Sequence, residues 1–326
     1  MKLNKIASSL LAVASIFTLS ATAVDAREFR IGHSHVENDP THMSFIKFCD
    51  KLNELSGGEF TVKVFANSQL GGEREMAEQV LNGALDISMV GGQLIETFYP
   101  KYAALNTPYL FKSFDHVKKF IKSEAAQKYL LDASLDSGFK GLWLETCGPR
   151  SFYSKKPLNT PEDLNGVKMR VPEAQMSIDT VKLMGGQPTP LSSAEVYSAL
   201  QQSVIDGAEN NFVFYVQSRH FEVAPYFNLD EHSMPPNVVI MSAYVWEDLS
   251  DEEKQWVTEA AAYARDYQMD AYCADLEKYE KQAQELGITI NKVEKTPFFE
   301  KTKSILDKEM QDAGKAELIN AINALE

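Results

Sequence analysis

The sequence has few cysteines, no excess of basic charge and no second long hydrophobic run after its first residues. Only Cys49, Cys147 and Cys273 occur in 326 residues. At most one disulfide can therefore form, and no Cys-x-x-Cys zinc pattern exists. Lysine and arginine number 32 against 46 acidic residues, which gives a formal charge of −14. An acidic chain without a basic cluster is poorly suited to nucleic acid or an anionic membrane surface, so we expect no nucleic-acid partner.

Catalytic signatures are also missing. The chain has no Gly-x-Ser-x-Gly elbow, no His-Glu-x-x-His, no phosphate-binding loop and no Gly-x-Gly-x-x-Gly after a strand. His33 and His35 alternate on a predicted strand, so they would point to the same side and could grip a metal. Two polar residues at a strand end that opens on a cleft are the simpler interpretation. We expect no enzymatic activity, no metal and no cofactor.

The first 26 residues differ from the rest of the chain. Lys2 and Lys5 give a positive start, and an apolar run over 6–24 is interrupted only by serine and threonine. This pattern, with small residues before its end, predicts a secretory signal peptide cut after Ala26. Removing the two lysines and Asp25 changes the formal charge from −14 to −15. A membrane anchor is the alternative, but no other stretch reaches the ~18 apolar residues that span a bilayer.

Strand and helix patterns alternate over the first two thirds of the chain. Apolar residues flank Thr61 and Lys63 with a period of two, which predicts a strand over 60–65. The same patterns predict strands over 28–34, 86–90, 142–145, 167–171 and 204–208, and helices over 42–55, 73–83 and 192–202. This alternation favours an α/β layered fold.

The last third has a helical composition. Ser250 begins a capping box with Glu253, and no proline or glycine follows until after Leu286. A continuous helix over 251–286 would be about 55 Å long at ~1.5 Å per residue, longer than one small domain is wide. We therefore expect it to cross from one lobe to another. Two helices with a bend between them are the alternative.

Two arginines near predicted strands point to an anion site. Arg170 lies within the apolar stretch 167–172, and Arg150 follows a Gly-Pro after another strand. In a cleft, the planar fork of an arginine matches the two oxygens of a carboxylate. The strand end at 206–211 adds Asn210, whose side chain carries both a donor and an acceptor. A solvated or ion-paired surface position is the alternative for each arginine.

Short motifs run through nearly the whole chain after residue 26. They are Asn67-Ser68-Gln69-Leu70-Gly71, Glu73-Arg74, Asn82-Gly83-Ala84-Leu85-Asp86, Phe98-Tyr99-Pro100, Thr107-Pro108-Tyr109, Asp163-Leu164-Asn165-Gly166-Val167-Lys168-Met169-Arg170-Val171-Pro172, Gln187-Pro188-Thr189-Pro190, Glu195-Val196-Tyr197 and Asp206-Gly207-Ala208-Glu209-Asn210. Each motif is weak alone. In this order and at this spacing, the set resembles the substrate-binding proteins of TRAP transporters, the tripartite ATP-independent periplasmic carriers.

The resemblance implies an α/β periplasmic binding protein clamshell, with hinge strands and a long helix spanning both lobes. We expect lobe I to contain 27–147 and about 237–270. Lobe II would contain 148–236 and about 271–326, with the helix over 251–286 bridging the two.

The resemblance also implies a set of ligand-binding residues. In the family, a strand arginine makes the principal salt bridge to the ligand carboxylate, and Arg170 occupies that position. The other residues expected in the site are Arg150, Asn210, Glu73, Glu173, His35, Ser34 and Asn211.

Two departures from the family pattern bear on the ligand. Ser193 stands where the sialic-acid branch tends to carry an aromatic residue, and Gly91 stands where that branch tends to have an acid. The chain therefore does not resemble a sialic-acid binder. Its small polar lining resembles branches that take sugar acids such as uronates or aldonates, with C4-dicarboxylates as the alternative ligand class.

The resemblance finally implies a role for the chain. It predicts a monomeric periplasmic receptor that delivers a small organic acid to the membrane subunits of a TRAP transporter. A secreted enzyme acting on sugar acids and a ligand-sensing subunit of a signalling system are the alternatives.

Overall fold

The computed structural model describes residues 27–326. The predicted signal peptide therefore lies outside the described residues. No helix among those residues has both the length and the apolar character that a membrane crossing requires.

Eleven strands occur in the described residues. They are β1 (Arg27–Gly32), β2 (Phe60–Phe65), β3 (Ile87–Val90), β4 (Phe139–Glu145), β5 (Arg150–Ser154), β6 (Lys168–Val171), β7 (Gln187–Pro190), β8 (Gly207–Asn211), β9 (Tyr226–Ser233), β10 (Asn237–Ser242) and β11 (Thr289–Asn291).

The helices lie between these strands and after them. They are α1 (Pro40–Leu55), α2 (Glu73–Leu81), α3 (Phe114–Ile121), α4 (Glu124–Ala126), α5 (Gln175–Leu183), α6 (Val196–Gln201), α7 (Phe212–Gln217), α8 (Ala243–Glu247), α9 (Asp251–Gln282), α10 (Thr296–Glu309) and α11 (Ala313–Asn323). Short 3-10 turns join them, among them Leu94–Thr97 and Pro100–Asn106.

The strands form two sheets, which define two lobes. The first sheet has the order β2-β1-β3-β10-β4 and the second the order β11-β9-β5-β8-β6-β7. Within the first sheet β10 is antiparallel to both of its neighbours, and within the second sheet β5 is antiparallel to β8 and β9. The chain passes from one sheet to the other between β4 and β5, and returns between β9 and β10.

Each sheet is covered by helices on both faces. In β10, Val238 and Ile240 face one apolar cluster with α2 and α11, whereas Val239 and Met241 face another with α1 and α9. This alternation is the period of two of a strand that is buried on both sides. The second sheet has the same arrangement, because α7 packs on one face and α5 on the other. The predicted α/β fold with two lobes is confirmed.

Helix α9 is one continuous helix of 32 residues that joins both lobes. Its first half packs through Ala260 and Ala264 on the first sheet's cluster, and its second half packs through Tyr272 and Tyr279 on the second sheet's cluster. Between them, the amide of Gln268 accepts from the backbone N–H of Thr146 at 3.1 Å and donates to its carbonyl at 2.8 Å. The alternative of two helices with a bend between them is wrong.

The C-terminal end of the chain departs from the predicted lobe boundaries. Helix α10 packs on the second lobe through Phe298, but Leu318, Ile319 and Ile322 of α11 lie in the first lobe's core. The assignment of all of 271–326 to lobe II is therefore wrong for α11. The chain returns to the first lobe because these three apolar side chains are removed from water when they pack in its core, which is energetically favourable.

Strand β8 also differs from its prediction. It begins at Gly207 and ends at Asn211 instead of spanning 204–208. The polar run at its end suggested a turn, but all five residues of β8 are buried. The polar residues Glu209, Asn210 and Asn211 can be buried because their backbones pair with β5 and their side chains make hydrogen bonds as well.

Gly148, in the connection from β4 to β5, gives a stability prediction. Its φ is +64°, and a Cβ there would lie 2.6 Å from Oη of Tyr272, which donates to the carbonyl of Cys147. Gly57 has a φ of +61° with open space around it. We expect Gly57→Ala to lower the free energy of unfolding by about 1–2 kcal/mol. Gly148→Ala adds a clash to the same strain, so urea unfolding should show a larger loss; equal losses would contradict this packing.

Candidate functional site

A cleft of about 380 Å³ lies between the two lobes. It opens where β1, β3, β6 and β8 end and where the antiparallel β5 begins. In α/β sheets such edges are where ligands bind. The cleft is lined by His35, Gly72, Glu73, Arg74, Glu75, Met89, Gly91, Gln93, Leu94, Arg150, Arg170, Pro172, Glu173, Pro190, Leu191, Ser192, Ser193, Glu195, Asn210, Asn211, Phe214 and Asn237.

Arg170 brings an unpaired positive charge to the cleft. Its side chain points away from the face of β6 that carries Met169, and the residue is only 4% exposed. Nε and Nη2 donate to the carbonyl of Leu191 at 2.9 and 2.6 Å. Among residues 27–326, no carboxylate lies within ion-pair distance of it, and burial lowers its pKa. A guanidinium stays charged even so, and this one therefore favours an incoming anion.

Arg150 is already neutralised. Its Nε and Nη2 bind the carboxylate of Glu209 at 2.7 and 2.9 Å, and Nη1 donates to Oδ1 of Asn210 at 2.8 Å. Burial opposes both charges, but the pair raises the pKa of Arg150 and lowers that of Glu209 to about 2. Arg150 thus offers hydrogen bonds to the cleft without a net charge.

The charge pairing continues behind Arg150. His232 lies with Nε2 3.6 Å from Oε2 of Glu209 and with Nδ1 2.6 Å from Oδ2 of Asp230. Burial lowers the pKa of His232, but the two carboxylates more than offset this and raise it to about 9. Asp230 also accepts from the backbone N–H of Phe152 at 2.8 Å. Two cations and two anions therefore balance in this buried row, which we call the charge row.

Glu73 supplies the opposite wall with acceptors. Its Oε1 accepts from the hydroxyl of Ser34 at 2.8 Å and from that of Ser193 at 3.4 Å, and its Oε2 accepts from the backbone N–H of Gly91 at 3.1 Å. Ser34 does not line the cleft itself but fixes this carboxylate. A side chain at position 91 would fill the same space, because a Cβ would lie 2.9 Å from Oε2 of Glu73.

His35 and His33 do not form the pair that their spacing suggested. Strand β1 ends at Gly32, so the two rings do not alternate along it, and their centroids are 6.4 Å apart. His33 instead has Nε2 3.0 Å from Nδ1 of His42, and its pKa falls to about 3, chiefly through burial. His35 lines the cleft 3.0 Å from Oδ1 of Asp39; burial lowers its pKa, but that carboxylate raises it to about 9.

The remaining predicted residues, Asn210, Asn211 and Glu173, differ in which of their hydrogen-bonding groups are available to a ligand. Asn210 uses Oδ1 for Arg150 and for the backbone of Asn211, while Nδ2 makes no hydrogen bond to residues 27–326. Both ends of the Asn211 amide are occupied, since Oδ1 caps α7 at Phe214 and Nδ2 donates to Asn210. Glu173 lies at the rim, with a side chain 42% exposed and 3.4 Å from Nε of Arg74.

Several residues in the cleft or directly behind it escaped prediction, Glu209 being behind it. Glu209 stood in the quoted motif, but its partner Arg150 is 59 residues away in sequence, and nothing local signals that pairing. Phe214, whose ring meets that of His35 edge-on at 5.4 Å, and Asn237 come from elements that read as ordinary apolar runs. For Glu209, the signal available in the sequence was a charged residue within the predicted strand end at 206–211.

Comparisons with known proteins agree with this architecture. Residues 31–312 match the family DctP, bacterial extracellular solute-binding protein, family 7. The 2,3-diketo-L-gulonate-binding periplasmic protein YiaO of Escherichia coli is 30% identical over 89% of this chain and 88% of that protein.

Two solved structures are similar throughout. The TRAP periplasmic solute-binding protein of Anaerococcus prevotii, with bound D-glucuronate, has a TM-score of 0.89 and 28% identity over 92% of this chain and 98% of its own. That of Xanthobacter autotrophicus, with bound β-D-galacturonate, has a TM-score of 0.89 and 30% identity over 91% and 100%.

The charge row gives a prediction about pH. The pKa of His232 is about 9 in the folded protein against 6.5 ordinarily. Its protonation therefore stabilises the fold fully below pH 6.5, and this contribution is lost as the pH rises through 9. We expect the difference in free energy of unfolding between wild type and His232→Gln to be largest below pH 6.5 and to shrink up to pH 9, measured by urea unfolding.

His220 is the matched control. Burial and Arg170 lower the pKa of His220 to about 3, so this histidine is neutral in the fold. Its contribution to the stability of the protein is therefore lost as the pH falls below 6.5. The difference between wild type and His220→Gln should accordingly shrink toward low pH. The same pH trend for both variants would contradict the assigned charge row.

Proposed function

We propose that this chain, which belongs to the bacterial extracellular solute-binding proteins of family 7, is a TRAP-type periplasmic receptor for a sugar acid of the uronate class. The single observation that carries the ligand class is the Arg170 guanidinium, buried in the cleft without a carboxylate partner among residues 27–326. An organic carboxylate completes that pairing. The solved relatives that hold D-glucuronate and β-D-galacturonate support the same class.

The charge of the whole protein makes a local cation necessary. The formal charge of −14 repels any anionic ligand at a distance. Because Glu209 neutralises Arg150, the attraction inside the cleft comes mainly from Arg170. The carbonyl of Leu191, the residue after β7, holds that guanidinium in place, which leaves Nη1 for the ligand.

The other wall suits the hydroxyl groups of a sugar. Glu73 accepts hydrogen bonds from hydroxyls already in the fold, and ligand hydroxyls would donate to it in the same way. The free Nδ2 of Asn210 and the half-buried ring of Phe214 lie on the side of Arg170. Polar groups on both walls together with one apolar ring can fix the orientation of a pyranose ring.

The energies are sufficient for a receptor. Hydrogen bonds to charged groups contribute roughly 1.5–3 kcal/mol each. Micromolar affinity requires only about 8 kcal/mol, so one carboxylate clamp and several hydroxyl contacts are enough after the costs of ordering.

The proposed role is capture and delivery without a reaction. The relatives are solute-binding proteins and the cleft offers contacts that bind and orient a ligand. We infer an exported, monomeric protein, needing no cofactor, whose ligand-closed form is recognised by the membrane subunits of a TRAP transporter.

Isothermal titration calorimetry with D-glucuronate and D-galacturonate tests the function. Wild type is expected to bind at least one of them and to give no heat with D-glucose or D-galactose, which lack the carboxylate. Arg170→Lys keeps a charge but loses the planar fork, so we expect roughly tenfold or greater weakening. Arg170→Ala is expected to remove measurable binding.

Lys168→Ala is the control, because Lys168 lies on the same strand but is exposed outside the cleft. It should bind like wild type. Near-native affinity in folded Arg170→Ala would remove Arg170 from the central role. Binding of succinate without either uronate would show that the ligand class is wrong.

A further inference from the structure

Helix α5 has no cap of its own. Its N-cap position is occupied by Ala174, which offers no side-chain hydrogen bond, and its first turn contains no acidic residue. The first four N–H groups of a helix need partners from outside it, and alanine is a poor residue at this position. By contrast, α9 has Ser250 and three acids at its start.

The missing cap comes from the other lobe. Glu96 lies in the turn Leu94–Thr97 after β3, and its Oε1 accepts from the backbone N–H of Met176 at 3.0 Å. Its Oε2 accepts from the side chain of Asn106, also in the first lobe, at 2.7 Å. Glu96 is 8% exposed and does not line the cleft. A carboxylate at this position also meets the positive end of the helix.

The helix that Glu96 holds is tied directly to the ligand site. Five residues separate Arg170 from Met176, and α5 packs with Val181 against the core that contains β6. The turn that carries Glu96 belongs to the first lobe through Leu94 and Ile95. Any opening that moves the two lobes apart at this point separates Glu96 from α5.

We propose that Glu96 is a closure residue, which stabilises the ligand-closed form by capping α5 across the lobes. Two carboxylate–cation pairs near α5 also join elements of the two lobes within the described residues. Lys315 of α11 pairs with Glu309 of α10 at 2.7 Å, and Arg74 pairs with Glu173 at the exposed rim. Exposed pairs contribute little, whereas a desolvated charge-assisted hydrogen bond contributes more. This inference rests on the receptor function proposed above, for which a uronate is the probe.

The effect on affinity follows from population shift. Ligand binding drives closure, so a contact made only on closing adds its full free energy to the observed affinity. We expect Glu96→Ala to weaken D-glucuronate or D-galacturonate binding roughly 10- to 100-fold. Glu96→Gln keeps an acceptor oxygen and is expected to fall between wild type and Glu96→Ala.

Ser113→Ala is the matched control. Ser113 caps α3 at His116 within the first lobe, at 3.1 Å. It should lower the melting temperature without changing affinity. Small-angle X-ray scattering adds a readout that a loss of stability does not move: at equal subsaturating uronate, Glu96→Ala should keep the larger, open radius while wild type and Ser113→Ala contract.

A ligand-free arm separates this inference from the proposed function. Cysteines at the rim, Arg74→Cys with Glu173→Cys in a Cys49→Ser and Cys273→Ser background, are trapped by a short bismaleimide only while the lobes are closed. Adding Glu96→Ala should slow that trapping severalfold. Absence of uronate binding in wild type refutes the proposed ligand alone. Unchanged trapping with Glu96→Ala, or affinity within twofold of wild type, overturns the closure role.

Discussion

A single unpaired guanidinium governs the chemistry of this cleft. Arg170 is desolvated between two lobes, and its hydrogen-bond partner among residues 27–326 is a neutral carbonyl. Removing a charge from water without a counterion is costly, and Arg170 is the cleft arginine that has no carboxylate partner among residues 27–326. The buried charges of Arg150, Glu209, His232 and Asp230 compensate each other, and His35 is paired with Asp39. The cleft is therefore selective for a negative group at one end.

The architecture explains how that charge is held. Strand β6 carries Arg170 between β8 and β7, and the parallel pairing with β7 brings the Leu191 carbonyl beside it. The opposite wall comes from the other sheet, where Glu73 is fixed by Ser34 and by the backbone of Gly91. Helix α9 joins both sheets and contacts the connection between them at Thr146. The positive charge of Arg170 and the acceptor oxygens of Glu73 thus lie in different lobes. A ligand that binds both groups draws the two lobes together.

The parts of the fold with a local cause could be predicted from sequence. Strand β2 has its predicted bounds because its period of two is strict, and α9 is continuous because no proline or glycine interrupts it. Arg170 stood out as a charged residue inside an apolar strand, and the family resemblance gave it the ligand-binding position. The pairing of Arg150 with Glu209 and the return of α11 to the first lobe were not predicted, because they depend on residues far apart in sequence. Ser34 and Asn211 were also expected in the site. In the structure Ser34 donates to Glu73, and Asn211 lines the cleft while it caps α7.

A crystal structure with D-glucuronate or D-galacturonate bound tests the central claim most directly. If Arg170 is the carboxylate anchor, the cleft will be closed, with the sugar carboxylate about 3 Å from its guanidinium and ring hydroxyls directed at Glu73. A ligand in the reverse orientation, with its carboxylate away from Arg170 or in bulk solvent, would contradict it.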